Sequence, residues 1–232
     1  MDSFADHMFT PNVRAEQDKI GVGERFEKVY QNRLRGELDA NARAFIETRD
    51  TFYLATVTES GWTYVQHRGG PEGFLKVLGP ETIGFADYTG NKQFISKGSL
   101  KNSSKVSIIL MDYPQRARLK LIGYAAVVEA GDDPNLLAQL HQENAPAPER
   151  LVTIELAAID WNCPKYITQR FKKEEIDTMI GPHVQSLTDR IGELESRLDK
   201  VDPSWRNAEE LLGSGLAIAI LQDLRNQEVW EY

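Results

Sequence analysis

At residue 51 the apolar pattern of this chain changes period, and that change restricts the folds open to it. Before it, "LDANARAFIETRD" spaces Leu38, Ala42, Phe45 and Ile46 along one helical face, and Pro11 and Asn12 offer a helix start ahead of "VRAEQDKI". After it come short runs rich in β-branched and aromatic residues: "TFYLATVT", "WTYVQH", "GFLKVL", "TIGFAD", "KVSIILMD", "ARLKLIGYAAVVEA" and "RLVTIELAAIDW". The first two are joined by a hairpin-type "ESG" turn. A crossover, "NKQFISKGSLKNS", and a helix around "PNLLAQLHQE" interrupt the series. Some six strands with mostly short connections predict a closed or nearly closed antiparallel barrel, which leaves no exposed edges.

From about residue 171 the helical period returns. Val184, Leu187, Ile191, Leu194, Leu198 and Val201 alternate steps of three and four, a seam of about three heptads. It is read either as a helix packed on its own barrel or as a seam between subunits. Pro203 interrupts it before a further helical run, "NAEELLGSGLAIAILQDLR". The expected organisation is a helical segment over 1–50, a barrel over 51–170 and a helical extension over 171–232.

The formal net charge of −8 disfavours a nucleic-acid partner, since no run of Lys and Arg gathers cations on one face. A small anion needs only two or three placed cations. No apolar run spans a bilayer and no secretory signal opens the chain, so a cytoplasmic protein is expected. One cysteine, Cys163, excludes an internal disulfide, and His7, His67, His141 and His183 form no ligand-spaced set with it, so no metal is expected. A lone Cys is most often an inert small residue; a nucleophile would want a base such as His67.

Three polar clusters stand out. "VQHRGGPEGF" ends a strand in Gln66, His67 and Arg68, and the glycines at 69, 70 and 73 allow close approach of a ligand or a sharp turn. "DYTGNKQ", from Asp87 to Gln93, turns into a helix start beside Lys92, a favourable place for an anion. In "QRARLKLIG", Arg116, Arg118 and Lys120 alternate along a strand and share a face, which calls for an anion, for carboxylates or for solvent there.

In chain order, "RGGPEGFL", "GNK" and "RLKLIGYA", with the closing "WNCPKYI", resemble the pyridoxamine 5'-phosphate oxidase-like flavin-binding proteins, in particular the predicted flavin-nucleotide-binding branch, over about residues 40–170. The resemblance implies a six-stranded antiparallel split β-barrel, a homodimer, and FMN in clefts at the subunit interface. It implies Val65, Gln66, His67, Arg68 and Gly69 along the flavin ring and ribityl chain. It further implies Asp87, Asn91, Lys92 and Gln93 at the ring edge and phosphate, Arg118 from the next long strand, and Trp161, Asn162, Cys163, Pro164 and Lys165 closing the site, from the partner chain in one arrangement. Cys163 then becomes a wall beside the flavin rather than a nucleophile. True pyridoxamine phosphate oxidases carry an Arg-x-His pattern near the C-terminus; the helical extension here lacks it, which argues against vitamin B6 oxidation. The resulting expectation is an FMN-dependent oxidoreductase whose substrate and catalytic residue are unknown, with an electron donor such as NAD(P)H. The alternatives are a flavin-binding sensor or assembly module without turnover and, in third place, haem or F420 in place of FMN.

Overall fold

The computed structural model describes residues 3–31, 38–143, 145–161, 164–201 and 203. They fall into two compact units divided between Arg170 and Phe171.

The first unit begins with α1 (Phe4–Met8), α2 (Pro11–Lys19), α3 (Gly23–Gln31) and α4 (Ala40–Glu47). The sequence reading missed α1, whose signal is a capping box in which Ser3 Oγ accepts from the Asp6 amide and Asp6 accepts from the Ser3 amide. Asp39 caps α4 through the Ala42 amide at 2.7 Å. The predicted face of α4 is the buried one: Leu38, Ala42 and Ile46 are buried and Phe45 packs against the same core.

Seven strands follow: β1 (Thr51–Val57), β2 (Thr63–Gly69), β3 (Leu75–Val77), β4 (Thr82–Tyr88), β5 (Lys105–Asp112), β6 (Ala117–Glu129) and β7 (Pro148–Trp161). Two helices are inserted, α5 (Ile95–Asn102) and α6 (Pro134–Leu140). The strands form one antiparallel sheet in the order β2-β1-β5-β6-β7-β4-β3. The expected count of some six becomes seven, with every run named in the sequence forming a strand: "GFLKVL" supplies the three-residue β3, which among the described residues pairs only with β4, and no backbone ladder joins it to β2. The sheet is open in its hydrogen bonding but strongly curled. Phe52 on β1 meets Phe85 on β4 edge-on at 5.1 Å, although three strands separate them in the sheet. Phe74 stacks on Phe52 at 5.5 Å, and all three rings are 1% exposed. Each such ring contributes about 2–3 kcal/mol by leaving water.

The glycines before β3 are used for packing. A Cβ on Gly70 would lie 2.7 Å from the Phe74 ring, and Gly73, at φ +73°, keeps its backbone against the Glu47 carbonyl. Of the two uses open in the sequence, the sharp turn applies to Gly73. The outer face of β6 and β7 is covered near Asp160, which accepts a hydrogen bond from the Tyr30 hydroxyl at 3.2 Å and pairs with Lys120 at 2.9 Å. Lys120 also lies 4.4 Å from the Phe4 ring centre.

The second unit contains α7 (Lys173–Val201), 29 residues long with none buried. No helix among the described residues is long and apolar enough to cross a membrane.

Candidate functional site

β2 is a strand with one half-buried face and one exposed face, and its residues alternate strictly between them. Tyr64, Gln66 and Arg68 turn inward, towards β4 and α5; Val65, His67 and Gly69 turn outward. The four consecutive residues Val65 to Arg68 are therefore shared between two faces. His67 meets the Tyr53 ring at 5.7 Å on the outer side, and Val65 is 60% exposed there.

The inward residues reach the far end of the curled sheet. Arg68 Nη1 lies 2.8 Å from Asp87 on β4, and the other oxygen of Asp87 takes Arg150 of β7 through Nε at 2.9 Å and Nη2 at 2.8 Å. Arg150 in turn meets Glu149 at 2.8 Å, and Glu149 accepts from Thr89 at 2.9 Å. Asp87 and Arg150 are both buried, so the paired charges offset the cost of leaving water. Burial pulls the Arg150 pKa down, but the hydrogen bond and charge of Asp87, then those of Glu149, outweigh it and raise the value.

This ion chain is neutral: two arginines and two carboxylates. The net positive charge of the cleft comes from Lys92 and from the start of α5. Lys97, also in the lining, is paired with Glu129. Phe94 precedes α5 in the left-handed region at φ +55°, and no side chain caps the first turn of the helix. Lys92, two residues earlier, is left-handed at φ +60°. Non-glycine residues pay of order 1–3 kcal/mol each for such a conformation, a cost that concentrates at functional sites. Ser96 donates to Gln66 Oε1 at 2.9 Å, which leaves the Gln66 amide nitrogen for another acceptor. Arg68 Nε is buried and has no hydrogen-bond partner among the described residues. The Tyr88 hydroxyl is in the same condition, and burial raises its pKa.

Between these groups lies a cavity of about 40 Å³, lined also by Asn91 and Gln93. That volume suits a water molecule or a small anionic group; a planar ring system needs several hundred cubic ångströms. The residues thus fit the phosphate end of a nucleotide, and any ring would lie outside the cavity.

The other sequence candidates sit elsewhere. Arg118 neighbours the core-facing Leu119 and so points to the outer face of β6; its Nε is buried and has no hydrogen-bond partner among the described residues. Arg116, expected on the same strand face, is instead in the turn before β6 at φ +51°. The carboxylate that the basic face called for is Asp160, beside Lys120. Trp161 packs edge-on against Phe45 at 4.9 Å, joined to the barrel core. Pro164 is exposed, and Lys165 lies 5.0 Å from the ring centre of Tyr166. Asn162 and Cys163 lie outside the described residues.

Sequence reasoning missed Arg150, Glu149 and Ser96. Arg150, the third residue of β7, carries no local motif, and only the β4–β7 register, which sets it opposite Asp87, reveals its role. Ser96 stood within the predicted crossover, but nothing local marked its bond to Gln66.

The model of the family described as pyridoxamine 5'-phosphate oxidase matches residues 38–163, more than half of the 232. No curated protein matches the chain. Among solved structures, HupZ of Group A Streptococcus is 13% identical, covering 58% of this chain and 99% of its own, with a TM-score of 0.44. An FMN-binding protein from Syntrophomonas wolfei is 17% identical, with 66% and 95% covered and a TM-score of 0.40. A protein of Clostridium acetobutylicum related to general stress protein 26 is 13% identical, with 59% and 94% covered and a TM-score of 0.39.

Proposed function

Since this chain belongs to the pyridoxamine 5'-phosphate oxidase family, we propose that it binds FMN with the phosphate in the cleft between β2, β4 and α5, and works as a flavin-dependent oxidoreductase. The observation that carries the reading is the buried, unpartnered Nε of Arg68 beside the uncapped start of α5. A buried donor without an acceptor costs about 1–3 kcal/mol, and a phosphate oxygen would remove that cost. Lys92, Asn91 and Gln93 supply further charge and donors around the same cavity.

The cavity ends where the phosphate would, so the ring belongs along the free edge of β2. Among the described residues that strand pairs only with β1, and its other edge offers backbone N–H and C=O groups to the polar rim of a flavin. Backbone recognition uses both faces of the strand, which is how Val65, His67 and Gly69 join Gln66 and Arg68 in one site. Bound flavin supplies the hydride or electron transfer; the chain orients it and neutralises its phosphate. Asp87 and Glu149 are engaged by arginines, so their part is to hold those arginines in place. Substrate and electron donor, NAD(P)H among them, are left open by this chemistry.

A homodimer completes the site in this reading. Val65, Tyr53, Val57 and Trp62 form an exposed apolar outer surface around β1 and β2, suited to a second copy. Trp161 stands at the opposite end of β7 from Arg150, about 36 Å along the strand. That separation favours the partner's 161–165 segment, with Cys163 in it, as the wall of this cleft. Arg118 on the outer face would then meet the flavin of the neighbouring cleft or the partner itself.

The test is the visible spectrum of the protein after incubation with FMN and desalting, beside the Arg68→Met variant. Wild type should retain flavin bands, and the variant should bind about tenfold to a hundredfold more weakly, the worth of one charge-assisted hydrogen bond. A wild-type protein that retains no flavin, or a variant that binds equally well, overturns the reading. Bleaching of the bound flavin by NAD(P)H and its return with an added acceptor tests the oxidoreductase part.

A further inference from the structure

The seam of α7 is exposed along its whole length. Ile180, Val184, Leu187, Ile191, Leu194, Leu198 and Val201 are between 42% and 84% exposed. The same helix contains Gly181, Pro182 and Gly192, residues that weaken an isolated helix in water. All three lie off the seam, so the apolar line itself is unbroken, and a helix of this composition needs packing along that line to persist.

We infer that α7 pairs with α7 of a second copy of this chain in a parallel, in-register, two-stranded coiled coil. The steps of three and four assign Val184, Ile191 and Leu198 to the a positions and Ile180, Leu187, Leu194 and Val201 to d. The two central heptads carry β-branched Val184 and Ile191 at a, with Leu187 and Leu194 at d. That combination favours two parallel strands over three or four. The flanking charges choose the orientation. Arg190 and Arg197 occupy g, and Glu195 occupies e. In a parallel pair each g residue faces the e residue five positions on in the other chain, so Arg190 of each chain meets Glu195 of the other. An antiparallel pair would set g against g and e against e, bringing arginine to arginine and carboxylate to carboxylate. The a and d residues thus select two strands and the g and e residues select the parallel arrangement, both with the chain's own copy as partner.

The inference concerns the second unit and stands apart from the flavin reading. In a Cys163→Ser background, Leu187→Cys and Gln185→Cys are introduced separately into the full chain and air-oxidised. Leu187 is a d position, where facing Cα atoms come within disulfide range, whereas Gln185 is a b position on the outside of the pair. Most of the Leu187→Cys chains should become covalent dimers, with about tenfold less dimer for Gln185→Cys. Equal and slow oxidation of the two would overturn the inference, and would mean that something else covers the seam, residues 204–232 of the same chain included. Mixing Ile180→Cys with Val201→Cys chains tests direction: mixed disulfides in excess over like-with-like ones would make the pair antiparallel and sink the parallel register. Flavin absorbance read on the same samples keeps this result separate from the fate of the FMN proposal.

Discussion

In the barrel Phe52, Phe74 and Phe85 are each 1% exposed, whereas in α7 Leu187 and Ile191 are 52% and 56% exposed. The same contrast holds for charge. Asp87 is buried between two arginines, while the Arg190–Glu193 pair of α7 has more than half of each side chain in solvent. A curled sheet can close on itself, so its apolar residues and charges find partners within one chain. A single helix has a line of apolar residues and no second surface, so its pattern carries information about another surface. The two regions therefore differ in what a substitution can disturb.

The largest effect should come from removing a ring where three meet. Phe85→Ala takes away contacts with Phe52 and Phe74 and leaves a cavity, and should cost the barrel about 3–5 kcal/mol. Leu187→Ser in α7 should change barrel stability by no more than about 0.5 kcal/mol. Urea unfolding followed by hydrogen exchange of the strand amides measures both. Equal costs would end the contrast between a self-sufficient barrel and a helix that needs a second surface.

Next in size is the buried charge. Asp87→Ala leaves Arg68 and Arg150 without their shared carboxylate and should destabilise the barrel by about 3 kcal/mol, the usual cost of breaking a buried pair from one side. Arg190→Ala, removing an exposed pair, should cost about 0.5 kcal/mol or less. Thermal unfolding of the two variants decides this, and a small loss for Asp87→Ala would mean that solvent reaches the network freely.

These differences also explain what could be read in advance. The strand runs, the face of α4, the crossover at α5 and the helix at α6 were legible because each is a local period in the sequence. The run "GFLKVL" was legible too, but it keeps only three residues as β3 and extends the sheet by a single pairing, so the expected count of some six came out as seven. The site was legible where it consists of neighbours in sequence, as in Gln66 and Arg68 or Asn91 to Gln93. It was not legible where it depends on register: Arg150 reaches Asp87 across 63 residues. The division of Val65 and His67 from Gln66 and Arg68 was implicit in assigning them to a strand, since a period of two sends neighbours to opposite faces. Arg116 was misplaced because the turn before β6 takes up one more residue than the alternation suggested.

The smallest predicted effect concerns Glu149, the half-buried outer end of the ion chain, and it is a matter of sign rather than size. The hydrogen bond from Thr89, then those from Arg150 with the positive charges of Arg150 and Lys92, hold its carboxyl below the ordinary value of 4.5 against the opposing pull of burial. A folded-state pKa below the unfolded one means that the unfolded chain takes up the proton first as pH falls. The stabilisation is therefore complete above 4.5 and is lost as pH drops through the lower folded value. Glu149→Gln should lower the melting temperature slightly at neutral pH, and the gap to wild type should close as the pH falls below 4.5 and through the folded-state value. A gap that persists undiminished in acid would mean that Glu149 acts through its shape and neutral hydrogen bonds, and that the outer end of the charged network resembles the solvated pairs of α7 more than the buried pair at Asp87.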